Sequence, residues 1–223
     1  MAKIPKISEL YDLSHTAAAS LLGGLTYPWE VLPHIGEFVR AYGKTLDPTE
    51  YREQSPEVFV HKTVKIASTA TLCGPCVIGA GTEIRPGAYI RGSVLVGRDC
   101  VIGNSTELKN AILFDSVQVP HYNYVGDSVL GYLSHMGAGA IASNIRSDRK
   151  NIVIHGDDEQ ESGLRKIGTM LGDRVEIGCN SVLCPGSIVG RDAVVYPLSR
   201  VRGIIPERTI YKGSGEPVPK KEA

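Results

Sequence analysis

Residues 66–112 read IASTAT LCGPCV IGAGTE IRPGAY IRGSVL VGRDCV IGNSTE LKNAI, divided here before each member of an aliphatic series that recurs every six positions. The series is Ile66, Leu72, Ile78, Ile84, Ile90, Val96, Ile102 and Leu108. Four residues after these stand Ala70, Cys76, Thr82, Ala88, Val94, Cys100, Thr106 and Ile112, nearly all small. Such a period fits neither the 3.6-residue repeat of a helix nor the two-residue alternation of a simple strand. It fits a short strand and a tight turn, repeated. The aliphatic residue points inward, the small one sits at a crowded corner, and Gly, Asn and Asp supply the unusual backbone angles of the turns. Three such units per coil predict an all-β fold, a parallel β-helix of triangular section held together by neighbour-to-neighbour stacking.

Outward from this stretch the rhythm returns at Leu171, Ile177, Leu183, Val189, Val195 and Val201, with Val175, Ser181, Ser187, Ala193 and Ser199 as small partners. Between the two runs it is broken in three places. The aliphatic positions step by five from Leu108 to Leu113 and again from Val125 to Leu130, and after Ile141 the pattern stops until Leu171. The gap, residues 142–170, is polar and is expected to leave the helix as an inserted loop, a kind of segment that is usually functional or disordered.

Residues 1–55 lack the period. Ser14 is expected to cap a helix through Leu22, ended by Gly23-Gly24, and Pro28-Trp29 to open a second with Leu32, Ile35, Val39 and Tyr42 on one face. Pro33 falls in its first turn, where proline is tolerated. This short helical segment is expected to cap the open end of the β-helix or to pack on a neighbouring subunit. Residues 56–206 form the β-helix domain, and 207–223 a tail with a strand and a frayed terminus at Lys220-Lys221.

The composition agrees. Of 223 residues, 24 are basic and 24 acidic, and this zero formal charge argues against nucleic-acid or anionic-membrane binding driven by bulk electrostatics. A 42% hydrophobic content excludes whole-chain disorder, and 25 Gly with only 6% aromatics implies a core of small aliphatics. No apolar run approaches membrane-spanning length and Met1-Ala-Lys-Ile-Pro5 lacks a secretion signal, so a soluble cytoplasmic protein is expected. Five cysteines without such a signal do not form a disulfide framework. Cys73-Gly-Pro-Cys76 is a lone CxxC, and the repeat accounts for Cys76 and Cys100 as small corner residues, so no metal is expected.

Chemistry must lie outside the packed interior. Arg91 and Lys109, 18 apart and hence one coil apart, form either a cationic patch suited to phosphate or two solvated surface charges. Residues 119–127, VPHYNYVGD, fall between the two five-residue steps, and His121 is the natural general base near neutral pH. Residues 136–140, MGAGA, carry backbone N–H groups that can face an oxyanion, and Asn144 follows.

These residues carry a resemblance. GNSTELKNA at 103–111, HYNYVGD at 121–127 and GAGAIASN at 137–144 resemble the acetyltransferase half of the bacterial bifunctional glucosamine-1-phosphate acetyltransferases/N-acetylglucosamine-1-phosphate uridyltransferases, over roughly residues 60 to 205. Both five-residue steps fall where that family has them. The resemblance implies a left-handed β-helix, a homotrimer with its site between adjacent β-helices, and acetyl-CoA-dependent N-acetylation of an amino-sugar 1-phosphate without a metal. It further implies His121 as catalytic base with Asn144 at the acetyl site. Arg91 (with Arg85 as fallback), Lys109, Tyr124 and His135 would bind the sugar phosphate, and Ala138, Cys179 and Tyr196 acetyl-CoA.

Departures accompany it. The uridyltransferase half is absent from the chain, so no pyrophosphorylase activity is expected. His135 stands where the family has asparagine, Ile145 where it has an aromatic residue and Cys179 where it has serine. The loop after Asn144 is some 16 residues longer than the family's, so its phosphate-binding lysine is Lys150 counted forward or Lys166 counted back, with Lys150 preferred. Two other readings compete. A γ-type carbonic anhydrase needs three zinc histidines, yet His121 and His135 lie 14 apart with no evident third. A non-catalytic β-helix that binds sugar nucleotides, or scaffolds a nucleotidyltransferase partner, needs none of the chemistry.

Overall fold

Most hexapeptides become a strand of two to four residues and a corner, and three of them close one coil of a parallel β-helix, as expected. The structure, a computed structural model, describes residues 2–213 and 216–220. Strands stack in parallel register on three faces. Face 1 contains Val58–His61, Cys76–Ile78, Val94–Val96, Thr169–Leu171 and Ser187–Val189; face 2 contains Thr71–Leu72, Tyr89–Ile90, Ile141–Ala142 and Val182–Leu183. Face 3 contains Glu83–Ile84, Val101–Asn104, Gln118–His121, His135–Met136 and Glu176–Ile177. The aliphatic series points inward and is buried on all three, for example Ile84, Ile90, Val96, Ile102 and Leu108.

The small partners fill the corners. Thr82 and Thr106 are buried there and donate their hydroxyls to the carbonyls of Gly97 and Val119, both at 2.9 Å. Cys76 and Cys100 are likewise buried, and burial pushes both thiols up to about 12. All five cysteines are free thiols.

The register records the sequence breaks. Tyr89 pairs with Glu107 one 18-residue coil later, but Glu107 pairs with Tyr124 and Tyr124 with Ile141, each 17 later. At these two coils the residue lost is a corner residue, so Glu107–Leu113 and Tyr124–Leu130 run as single seven-residue strands through faces 2 and 1. From Asp99 to Leu133 one residue per corner adopts positive φ: Asp99, Ser105, Asn110, Ser116, Tyr122, Asp127 and Leu133 lie between 48° and 60°. Their spacing is six except at Asn110 and Asp127, where it is five. Adjacent coils also pass closely: a Cβ at Gly103 would overlap the Pro120 carbonyl oxygen, so only glycine fits there.

Ile141 next pairs with Val182, 41 positions on, because residues 143–168 leave the helix. That loop contains an antiparallel hairpin, Val153–His155 with Glu159–Glu161, and Ile145 bridges back to Lys166. At the other end of the domain Thr209–Tyr211 pairs antiparallel with Val218–Pro219, and Lys221 of the expected frayed terminus lies outside the described residues.

The N-terminal segment lies along face 1 rather than over the open end. Asp157 N–H donates to the Ala2 carbonyl, Asp173 N–H to Leu10 and Asp115 N–H to His15, so the chain descends the β-helix coil by coil. His15 stacks on Tyr132 and Tyr11 packs on Phe114. The cause is the middle residue of each face-1 strand. Val77, Leu95, Ile112, Val129, Met170 and Ile188 stack in register on the outside of the coil, and all are apolar. The segment buries this stripe with Leu10, Leu22, Trp29, Ile35 and Val39. Its helices differ from expectation. Asp12, whose carboxylate accepts from Ser14 N–H, caps a three-residue 3-10 turn, Leu13–His15, before a separate short helix Ala19–Leu22. Pro28–His34, with Pro33 inside it, is a 3-10 helix leading into the α-helix Ile35–Gly43; in an α-helix the Pro33 ring would clash with the carbonyl four residues back. Among the described residues, no helix is long and apolar enough to cross a membrane.

Candidate functional site

With face 1 covered, His121, Ala138, Cys179, Lys109, Tyr124 and Asn144 of the expected site residues lie on face 2 or along its two edges. The edge shared with face 3 carries His121, Ala138 and Cys179 on successive coils. Gly139 N–H donates to the His121 carbonyl, Asn180 N–H to Ala138 and Leu198 N–H to Cys179. Tyr196, 44% exposed, completes this row, with Lys212 Nζ 5.9 Å above its ring. His121 is exposed and its ring has no hydrogen-bond partner among the described residues. Of the four amides at 137–140, those of Gly137, Gly139 and Ala140 donate to the carbonyls of Ile177, His121 and Gly137. Only the Ala138 N–H of the four is left without a partner among the described residues.

Asn123 ties this edge together. It is buried, its Oδ1 accepts from His121 N–H at 3.1 Å, and its Nδ2 donates to the carbonyls of Gly137 at 2.8 Å and Ala140 at 3.2 Å. One side chain thus fixes His121 relative to Ala138. Sequence reading passed over it, although it lies inside the HYNYVGD string.

The opposite edge, shared with face 1, is where both five-residue steps fall. Its centre is Asp127, a nearly fully buried carboxylate. Lys109 Nζ reaches both of its oxygens, at 2.8 and 3.1 Å; Asn110 Nδ2 donates at 2.9 Å and Asn144 Nδ2 at 2.6 Å. Asn144 also donates to the Tyr124 hydroxyl at 3.0 Å. Burial first, and then the Asp127 charge, push the Tyr124 phenol above its ordinary range. Lys109, Tyr124 and Asn144 therefore meet through a residue that sequence reading did not single out. Arg91 lies one coil below Lys109, its guanidinium paired with Glu107 at 2.7 Å.

The remaining candidates stand apart. His135 is on the outside of face 3, its Nδ1 2.8 Å from Glu176 Oε2. Lys150 is an exposed loop residue whose backbone N–H bonds to Asp148. Lys166, by contrast, lines a cleft of about 840 Å³ at the Asp127 edge, together with Leu32, Asn110, Arg146, Arg149 and Arg165. Arg85 pairs with Glu83 on face 3. Among the described residues, no three His, Cys, Asp or Glu side chains are grouped to hold a metal ion.

The two edges of face 2 lie roughly 10 Å apart, the length of the strand Tyr124–Gly126. Between them the outer surface is formed by Tyr89, Glu107, Tyr124, Ile141 and Val182, stacked in register. A ligand laid across Tyr124 can touch a potential base at one end and a cation–carboxylate–amide network at the other.

The chain is similar to several known proteins. The acetyltransferase domain of PglB from Neisseria gonorrhoeae, solved with acetyl coenzyme A, is 15% identical, with a TM-score of 0.36 over 69% of this chain and 53% of that one. The bifunctional protein GlmU of Methanococcus maripaludis is 27% identical over 214 residues, covering 87% of this chain and 48% of that protein. The bifunctional sugar-1-phosphate nucleotidylyltransferase/acetyltransferase of Sulfurisphaera tokodaii is 34% identical over 142 residues, 63% of this chain and 35% of that protein. The chain thus spans less than half the length of these two relatives. Residues 72–213 match the family of the GMPPB C-terminal domain, and the chain belongs to that family.

Proposed function

We propose that the chain is an acetyl-CoA-dependent N-acetyltransferase whose acceptor is an amino sugar phosphorylated at C1, such as glucosamine 1-phosphate or galactosamine 1-phosphate. The observation that carries this reading is the division of face 2: an exposed, unpaired imidazole beside a free backbone N–H on one edge, and the Lys109–Asp127–Asn144 network a sugar's length away on the other. The Sulfurisphaera relative, named a sugar-1-phosphate nucleotidylyltransferase/acetyltransferase, agrees with it.

In this reading the sugar lies across Tyr124 with its amine at His121 and its phosphate toward Lys109. His121 takes the ammonium proton as nitrogen attacks the thioester carbonyl, a contribution typically of about 10²–10⁴-fold. The Ala138 N–H donates to the oxyanion that develops on that carbonyl. Acetyl-CoA fits the same edge: Ala138 offers its free N–H, and the exposed Cys179 and Tyr196 continue the row along which an extended thioester arm can lie. Neighbouring copies in a homotrimer would close the open side of face 2, whose exposed Tyr89, Ile141 and Val182 supply apolar surface.

One observation favours the second reading, a non-catalytic β-helix that binds a sugar nucleotide or scaffolds a nucleotidyltransferase: Arg91 and Lys109 both already hold carboxylates. Thiol release from acetyl-CoA distinguishes the two. Release that requires glucosamine 1-phosphate or galactosamine 1-phosphate, with an acetyl group gained by the sugar in mass spectrometry, is the expected result. An absence of release with either sugar contradicts these acceptors.

A further inference from the structure

The cleft at the Asp127 edge holds more uncompensated positive charge than one sugar phosphate requires. Leu32 and Pro33 of the N-terminal segment form one wall, Asn110 and Asp127 the floor, and the outgoing and returning strands of the inserted loop the other wall. That loop brings in Arg146, Arg149, Arg165 and Lys166. Arg146 is paired with Asp148 at 2.8 Å. Arg149, Arg165 and Lys166 have no carboxylate partner among the described residues; Arg165 Nε donates to the Arg149 carbonyl at 3.2 Å. The one carboxylate that lines the cleft, Asp127, is already shared by Lys109, Asn110 and Asn144.

We propose that this cleft binds a diphosphate, so that the C1 phosphate that faces Lys109 in the acyl-transfer reading above, on which the amino-sugar part of this inference rests, carries a nucleoside phosphate. Two guanidinium forks and an ammonium converge there from both crossings of the loop, and guanidinium groups engage phosphate oxygens bidentately. Arg91 and Lys109 are already paired with Glu107 and Asp127, so a second phosphate, beyond the one that faces Lys109, falls to these free cations. The cleft, about 840 Å³ and open to solvent, has room beyond a single phosphate. Leu32, Pro33 and Ile145 offer apolar surface on which a base can lie.

Calorimetric titration of the full chain with UDP, GDP, UMP, GMP and inorganic phosphate tests this. One of the diphosphates is expected to bind at least tenfold more tightly than its own monophosphate. The double variant Arg149→Ala/Lys166→Ala should weaken it at least tenfold, whereas Lys44→Ala, an exposed change away from the cleft, should leave it unaltered. Equal affinity for mono- and diphosphates, or diphosphate binding indifferent to the double variant, overturns the inference. Thiol release separates it from the reading it extends. Diphosphate binding without acetyl transfer to any amino sugar keeps the cleft and removes the transferase. Acetylation of the 1-phosphates that is unaffected by Arg149→Ala/Lys166→Ala, with no diphosphate binding, removes the cleft and keeps the transferase.

Discussion

Faces 1 and 2 are made from the same hexapeptide and differ in one position, the outward residue of each strand. On face 1 it is Val77, Leu95, Ile112, Val129, Met170 and Ile188, and the chain folds its own first 50 residues over that stripe. On face 2 it is Thr71, Tyr89, Glu107, Tyr124, Ile141, Val182 and Arg200, and none of the described residues folds over it. The inward residues build the same core everywhere. The outward ones decide which face is structural and which is open to a ligand.

The largest effect is expected from putting a charge on the covered stripe. Ile112→Asp places an unpaired carboxylate at a fully buried site, and should cost more than about 4 kcal/mol in denaturant unfolding or strip the N-terminal segment from the β-helix. Face 2 carries Glu107 at the equivalent place, partly exposed and paired with Arg91; retained stability in Ile112→Asp would break the comparison. Next comes Asp127→Ala at the edge where the two faces meet. Removing this carboxylate leaves the partly buried Lys109 unpaired and frees Asn110 and Asn144, and should cost about 3–5 kcal/mol. A loss below about 1 kcal/mol would mean that the network is not structural. Asn123→Ala should cost less, about 1–3 kcal/mol, since it leaves the Gly137 and Ala140 carbonyls without their side-chain donor. It sharpens the comparison within face 2, because turnover should fall further than stability as His121 loses its fixed distance from Ala138.

The coil itself was legible in the sequence. The five-residue steps at Leu108 and Val125 translate directly into 17-residue register, and the silent stretch after Ile141 into the inserted loop. Residue spacing fixes stacking because a coil has a constant length. The cover over face 1 was not read, although its signal is present: an apolar residue stands between the small and the aliphatic position at Val77 and Leu95, and at Ile112 as well once the five-residue step makes Ala111, not Ile112, the small position. On the site, spacing placed Arg91 under Lys109 but could not tell where the side chains turn. Glu107 and Asp127, which hold them, belong to neighbouring coils and are visible only once the corners are formed. The free N–H of Ala138 was equally beyond reach, since all four amides of the turn look alike until the inter-coil hydrogen bonds are assigned.

The measurement that bears most directly on the open face is the turnover of His121→Ala, followed by thiol release at saturating acetyl-CoA and amino sugar, with thermal unfolding recorded on the same sample. The side chain is exposed and makes no hydrogen bond to the described residues, so the melting temperature should stay within about a degree while turnover falls about 10²–10⁴-fold. Turnover within about threefold of the unsubstituted chain, at unchanged stability, would contradict a catalytic role for that edge.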